Sequence, residues 1–108
     1  MVFVSSRIVF GENAFTEKLV IEDKEFEGFS ISVDVAPFLL IRTKEGCILG
    51  CGFLDVAAAD ALDSCAFKVK GVKTFEEMLQ AKVVEVSKAA KKKGISVGMT
   101  GKTALMKC

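Results

Sequence analysis

Nine residues, Cys47-Ile48-Leu49-Gly50-Cys51-Gly52-Phe53-Leu54-Asp55, constrain this chain more than any other stretch. They read as an apolar strand that thins to glycine and then turns through Asp55 into an alanine-rich helix. The strand period of two places Cys47, Leu49, Cys51 and Phe53 on one face and Ile48, Gly50 and Gly52 on the other. The second face is nearly bare, which lets another backbone, a packed helix or a ligand come close. Asp55 has the chemistry of an N-cap for a helix over residues 56–62.

Around this hub the pattern predicts strands first and helices afterwards. Residues 1–15 hold two short apolar alternations and read as a tail or an extra edge strand ahead of a single domain, 16–108. Glu17 to Glu22 suggests a strand with a turn at Asp23-Lys24. In Phe26 to Asp34, Phe29, Ile31 and Val33 alternate with Ser30, Ser32 and Asp34, while Phe26 has the opposite parity, so a β-bulge is expected at Gly28. Pro37 leads into Phe38 to Arg42, apolar enough for a central strand, and Thr43-Lys44-Glu45-Gly46 fits a hairpin into the hub. Ala66 to Lys70 gives a further strand, with Phe67 and Val69 inward and Lys68 and Lys70 outward. Thr74-Phe75-Glu76-Glu77 is a capping-box signature that opens a helical region to Lys93, closed by Gly94. Thr100 caps a last helix, Gly101 to Met106. The expected fold is α+β, a mainly antiparallel sheet from the N-terminal half covered by C-terminal helices, in the order β-β-β-β-α-β-α-α.

Composition decides what such a domain does with its surface. At 108 residues, with 51% hydrophobic side chains and a mean hydropathy of +0.41, the chain is more apolar than a small monomer needs, so a homo-oligomer is expected. The longest apolar run, Val35 to Ile41, is too short to span a bilayer, and the start lacks a secretory pattern. Both point to the cytoplasm with no membrane partner. Residues 1–65 carry net charge −6 and residues 66–108 net +7, so the second half either faces an anion or neutralises the first. Asn13 and Gln80 are the only side-chain amides, a composition that leans toward a heat-adapted source.

The motifs exclude more than they assign. Histidine is absent, which removes the commonest general base and the usual metal ligand. The four cysteines, at 47, 51, 65 and 108, lack zinc-ribbon spacing, and Cys47 and Cys51 stand too far apart along one strand to share an ion. No metal or other cofactor is expected, and buried thiols are the default. Cys51 is a candidate nucleophile if the amides of the following helix face it, with Asp55 beside it as a candidate catalytic group. Gly98-Met99-Thr100-Gly101-Lys102-Thr103 ends as a phosphate-binding loop does, but Ser96 stands where that pattern needs glycine and too little chain follows. A KH-type RNA clamp fails for the same lack of following chain, and few aromatics accompany the basic half, so nucleic acid is not an expected partner. What survives is a small anion held by Gly98, Thr100, Gly101 and Lys102, against a reading in which Thr100 is simply an N-cap.

Cys51-Gly52-Phe53-Leu54-Asp55-Val56, Gly71-Val72-Lys73-Thr74 and the run from Gly94 to Leu105 together resemble the YunC-like family of small uncharacterised bacterial and archaeal proteins. The likeness covers about residues 16–106. It implies a compact α+β domain whose N-terminal β-region mediates tetramer formation, with no established reaction or ligand. The expected protein is therefore a cytosolic homo-oligomer of unknown biochemical function; the alternatives are an anionic-metabolite binding module at Gly98–Lys102 and a thiol-dependent enzyme centred on Cys51.

Overall fold

The computed structural model describes residues 2–33 and 36–108; Asp34 and Val35 lie outside the described residues. Val2–Val9 (β1), Ala14–Ile21 (β2), Lys24–Val33 (β3) and Ala36–Thr43 (β4) form an antiparallel meander. Ile48–Gly50 (β5) adds antiparallel to β4, and a crossover through the helix Val56–Ala61 (α1) places Ala66–Lys68 (β6) parallel to β5. Glu85–Val86 (β7) closes a seven-stranded sheet whose spatial order follows the chain. Three further short helices are Phe75–Gln80 (α2), Lys88–Lys92 (α3) and Gly101–Met106 (α4). The α+β class and its largely antiparallel sheet match the expectation.

Each turn has a local cause. Glu22 and Asp23 both take positive φ, 49° and 67°, the two-residue turn whose twist suits a tight hairpin. Gly46 sits at φ 93°, where Thr43 Oγ1 accepts from Cys47 N at 3.0 Å. The caps expected at Asp55, Thr74 and Thr100 all form, each side chain accepting from the backbone N–H three residues on.

Four expectations are corrected. The β-bulge at Gly28 is absent: pairing runs unbroken through Glu17↔Gly28 and Gly28↔Ile41. Gly28 instead makes room for a ring, since a Cβ there would lie 2.8 Å from Phe75 Cζ. The register shift falls in β1, between Val4 and Ser6, and the core-facing residues of β3 are Phe26, Gly28 and Ser30.

The long helix from Thr74 to Lys93 is not one helix. It stops at Gln80, passes through extended Ala81, and gives its valines to strand-like pairing: Val83 N donates to Met99 O and Val84 N to Lys68 O, both at 2.8 Å. Three β-branched valines within four positions favour the sheet edge over the helix. Ser87 then starts α3 as its N-cap.

Lys68 is buried rather than outward, its ammonium reaching Glu85 on β7 at 3.2 Å. Phe53 leaves the hub face. The strand ends at Gly50, and Phe53 turns out to stack on Phe38 with ring centroids 5.8 Å apart.

The core lies between the inner face of the sheet and helices α2 and α4. Leu19, Ile21, Phe26, Leu39, Ile41, Leu49 and Phe67 meet Met78, Leu79, Ala104 and Leu105 there. Gly101 fixes the closest approach, because a Cβ on it would lie 2.2 Å from Met78 O and 3.0 Å from Leu49 Cδ2.

Candidate functional site

The hub's bare face is filled from within. Leu54 folds back over Gly50, so near that a Cβ on the glycine would sit 2.6 Å from Leu54 Cβ. Cys51 is buried, and its Sγ accepts from Leu39 N at 3.3 Å while its own N–H donates to Leu39 O. Its thiol is thus engaged by β4. Asp55 Oδ1 accepts from Ala58 N at 3.1 Å, so its carboxylate serves α1.

The second predicted group lies at the start of α4. Gly98 takes φ 100° and donates to Val83 O at 2.9 Å, and Gly101 N donates to Ala81 O at 2.9 Å. Thr100 Oγ1 accepts from Thr103 N, and Lys102 Nζ stands 3.7 Å from Glu22 Oε1. These amides satisfy the protein's own carbonyls. Hub and turn do meet, through Leu49 against Gly101.

A groove of about 500 Å³ lies over the inner face beyond α2, with Arg7, Phe15, Glu17, Ser30 and Phe75 in its lining. Glu17 is 5% exposed and accepts from Arg7 Nε at 2.9 Å. The guanidinium in turn lies 4.4 Å from the centroid of the Phe15 ring, so one face of the groove holds a shielded carboxylate under a stacked cation. Arg7 belongs to β1, in the segment outside the family resemblance. No sequence motif marks this pair, which only the β1–β2 register Arg7↔Glu17 reveals.

A third grouping was invisible in the spacing. Cys47 and Cys65 precede the paired residues Ile48↔Ala66 of the parallel strands β5 and β6, and Cys108 approaches both after α4. Their three Sγ atoms lie within 4.8 Å of one another, with Cys47 and Cys65 at 2.7 Å. Burial, the Cys47 hydrogen bond and the Cys47 charge push the Cys65 thiol up to about 12, while Lys93 acts the other way. Burial also pushes Cys108 up, helped by its contacts with Cys47 and Cys65. The only sequence signal was that two cysteines occupy the same position relative to two neighbouring strands.

A family described as "Domain of unknown function (DUF1805)" matches residues 50–108. The chain is 32% identical over 93 residues, 82% of its own length and 91% of the relative's, to the uncharacterized protein YunC of Bacillus subtilis (strain 168). It also resembles the crystal structure of a protein of unknown function, TA1206 from Thermoplasma acidophilum. That match has a TM-score of 0.81 at 30% identity and covers 92% of this chain and 98% of that one.

Proposed function

Starting from a chain that belongs to the DUF1805 family, we propose that it works as a homo-oligomer assembled through the outer face of β1–β4. One observation carries this reading: two adjacent cross-strand rows on that face are apolar from strand to strand except at Thr16. The pairings Ile8↔Thr16↔Phe29↔Leu40 make the first row. Phe10, Ala14, Ile31 and Phe38, with Phe53 stacked beyond, make the second. Ile8 is 59% exposed, Phe10 68%, Ile31 47% and Phe53 54%, although a lone soluble domain rarely leaves such side chains contiguous in water.

The occupant that fits is a second copy. The same face carries charge of both signs toward one end, where Arg42 Nη2 meets Glu27 at 2.6 Å and Lys44 meets Glu25 at 3.3 Å. A two-fold axis brings such a surface onto itself with opposite charges in reach. β1 ends the sheet order, so its outer edge supplies a second, different contact, and two such contacts build a tetramer. Cytoplasmic residence belongs to the same proposal, supported by four free thiols and by the absence, among the described residues, of a helix long and apolar enough to cross a membrane.

Native mass spectrometry tests the assembly. The expected result is a tetramer that falls to a dimer or monomer in Ile31→Asp, with the circular dichroism of the fold retained. A monomeric wild-type protein would overturn the proposal.

A further inference from the structure

We propose that Cys47, Cys65 and Cys108 form a three-thiolate binding site for a thiophilic metal ion of the zinc or copper(I) class. The inference is independent of subunit assembly, because the cluster lies in the core beside α4 and the apolar rows lie on the opposite face of the meander.

The geometry is that of a site rather than of scattered core thiols. Three soft donors from sequence positions as distant as 47 and 108 converge within 4.8 Å, and thiolates select this group of metals over harder ions. Cys47 and Cys65 are buried, whereas Cys108 is only partly so, which gives an incoming ion a first ligand to meet. An ion about 2.3 Å from each sulfur sets them roughly 3.8 Å apart. The Cys47 and Cys65 sulfurs, now 2.7 Å apart, therefore separate by about 1 Å on loading, within the reach of small side-chain rotations.

Binding is a proton exchange without redox change: three S–H protons leave to solvent as three metal–sulfur bonds form. The resulting anionic centre has cations to offset it. Lys24 Nζ donates to the Cys108 carbonyl at 2.9 Å, and Lys93 acts on Cys65 as a nearby positive charge. Because each thiol must shed its proton to bind, uptake rises with pH.

The experiment uses the full-length, fully reduced protein without oxygen, incubated in one arm with Zn²⁺ and in the other with Cu⁺ held by a competing chelator. Bound metal per chain is measured after gel filtration. One equivalent in either arm is expected, and the arm that fills names the ion. Cys65→Ser should retain less than about a tenth of it; Cys108→Ser, at the most accessible position, should weaken affinity by more than about 100-fold, since even outer-shell partners are worth roughly 10–100-fold. Cys51→Ser, outside the cluster, should bind as wild type, and thermal unfolding shows that each variant is folded. Failure of the reduced protein to take up either ion overturns the site, as does wild-type uptake by folded Cys65→Ser and Cys108→Ser. Peptide mapping without reductant then shows whether Cys47 and Cys65 instead form a disulfide.

Discussion

Single residues here carry constraints that their types alone do not announce. Gly101 looks like part of a ligand loop, yet its missing side chain is what lets α4 lie on Met78 O. Gly101→Ala should therefore destabilise the fold by about 3 kcal/mol, read as a lower urea midpoint. Arg7→Ala removes the partner of a nearly buried carboxylate and should cost about 1–3 kcal/mol. Because Arg7 itself is half exposed, water replaces part of what is lost, and calorimetry should place the effect toward the lower end. Cys65 gives a pH dependence whose direction follows from its raised value. Its ordinary 9.0 becomes about 12 in the fold, so between these limits the unfolded chain ionises first. The stabilisation is whole below pH 9 and is lost as pH rises toward 12. Urea melts of the metal-free protein should show that loss, and Cys65→Ser should flatten it. The caps at Asp55, Thr74 and Thr100 were legible because capping depends on side chains within one turn. The Cys47–Cys65–Cys108 cluster was not, since strand register and the return of α4 bring those residues together.

At the scale of elements, legibility tracked how far each element depends on its neighbours. Three strands of the meander show in the sequence through turn residues and apolar patterning, whereas residues 1–15 read equally as a tail or an edge strand and supply β1 at the sheet's edge. The parity of β3 misled because the change of phase between Phe26 and Phe29 suggests a bulge at Gly28, whereas the strand pairs without a break and buries Phe26, Gly28 and Ser30. The break at residues 81–87 also escaped the helical pattern, since Val83 and Val84 are held by Met99 and Lys68 from outside the segment. Ser87 is the joint of that region. Its buried Oγ accepts from Ala66 N at 2.9 Å and Ala90 N at 3.2 Å, tying β6 to α3. Ser87→Ala should cost about 2–3 kcal/mol through the lost cap and the stranded Ala66 amide. Hydrogen exchange should quicken at both Ala66 and Ala90, whereas faster exchange at Ala90 alone would show that β6 finds another acceptor.

For the whole molecule, the high apolar content and the exposed outer rows are one fact seen twice. Helices α2 and α4 use one face of the meander, and the other is left with Ile8, Phe10, Ile31 and Phe38. Phe29→Asp should act as Ile31→Asp does, lowering the assembly's mass in native spectra without loss of helix signal. The charge division has a visible internal outlet in Lys102 of the basic half, which stands against Glu22 of the acidic one. Neutralisation within the chain thus accounts for some of the asymmetry without an external anion.

The meander also sets an order of events in time. Its strands pair with their immediate successors, so each hairpin can close within microseconds, while the parallel β5–β6 pair and the seating of α4 require distant segments to find one another. An order in which β1–β4 pair before α4 seats leaves both faces of that sheet wet for a time. At that stage the inner rows are as adhesive as the outer ones, and refolding yield should fall with protein concentration more steeply than equilibrium stability would suggest.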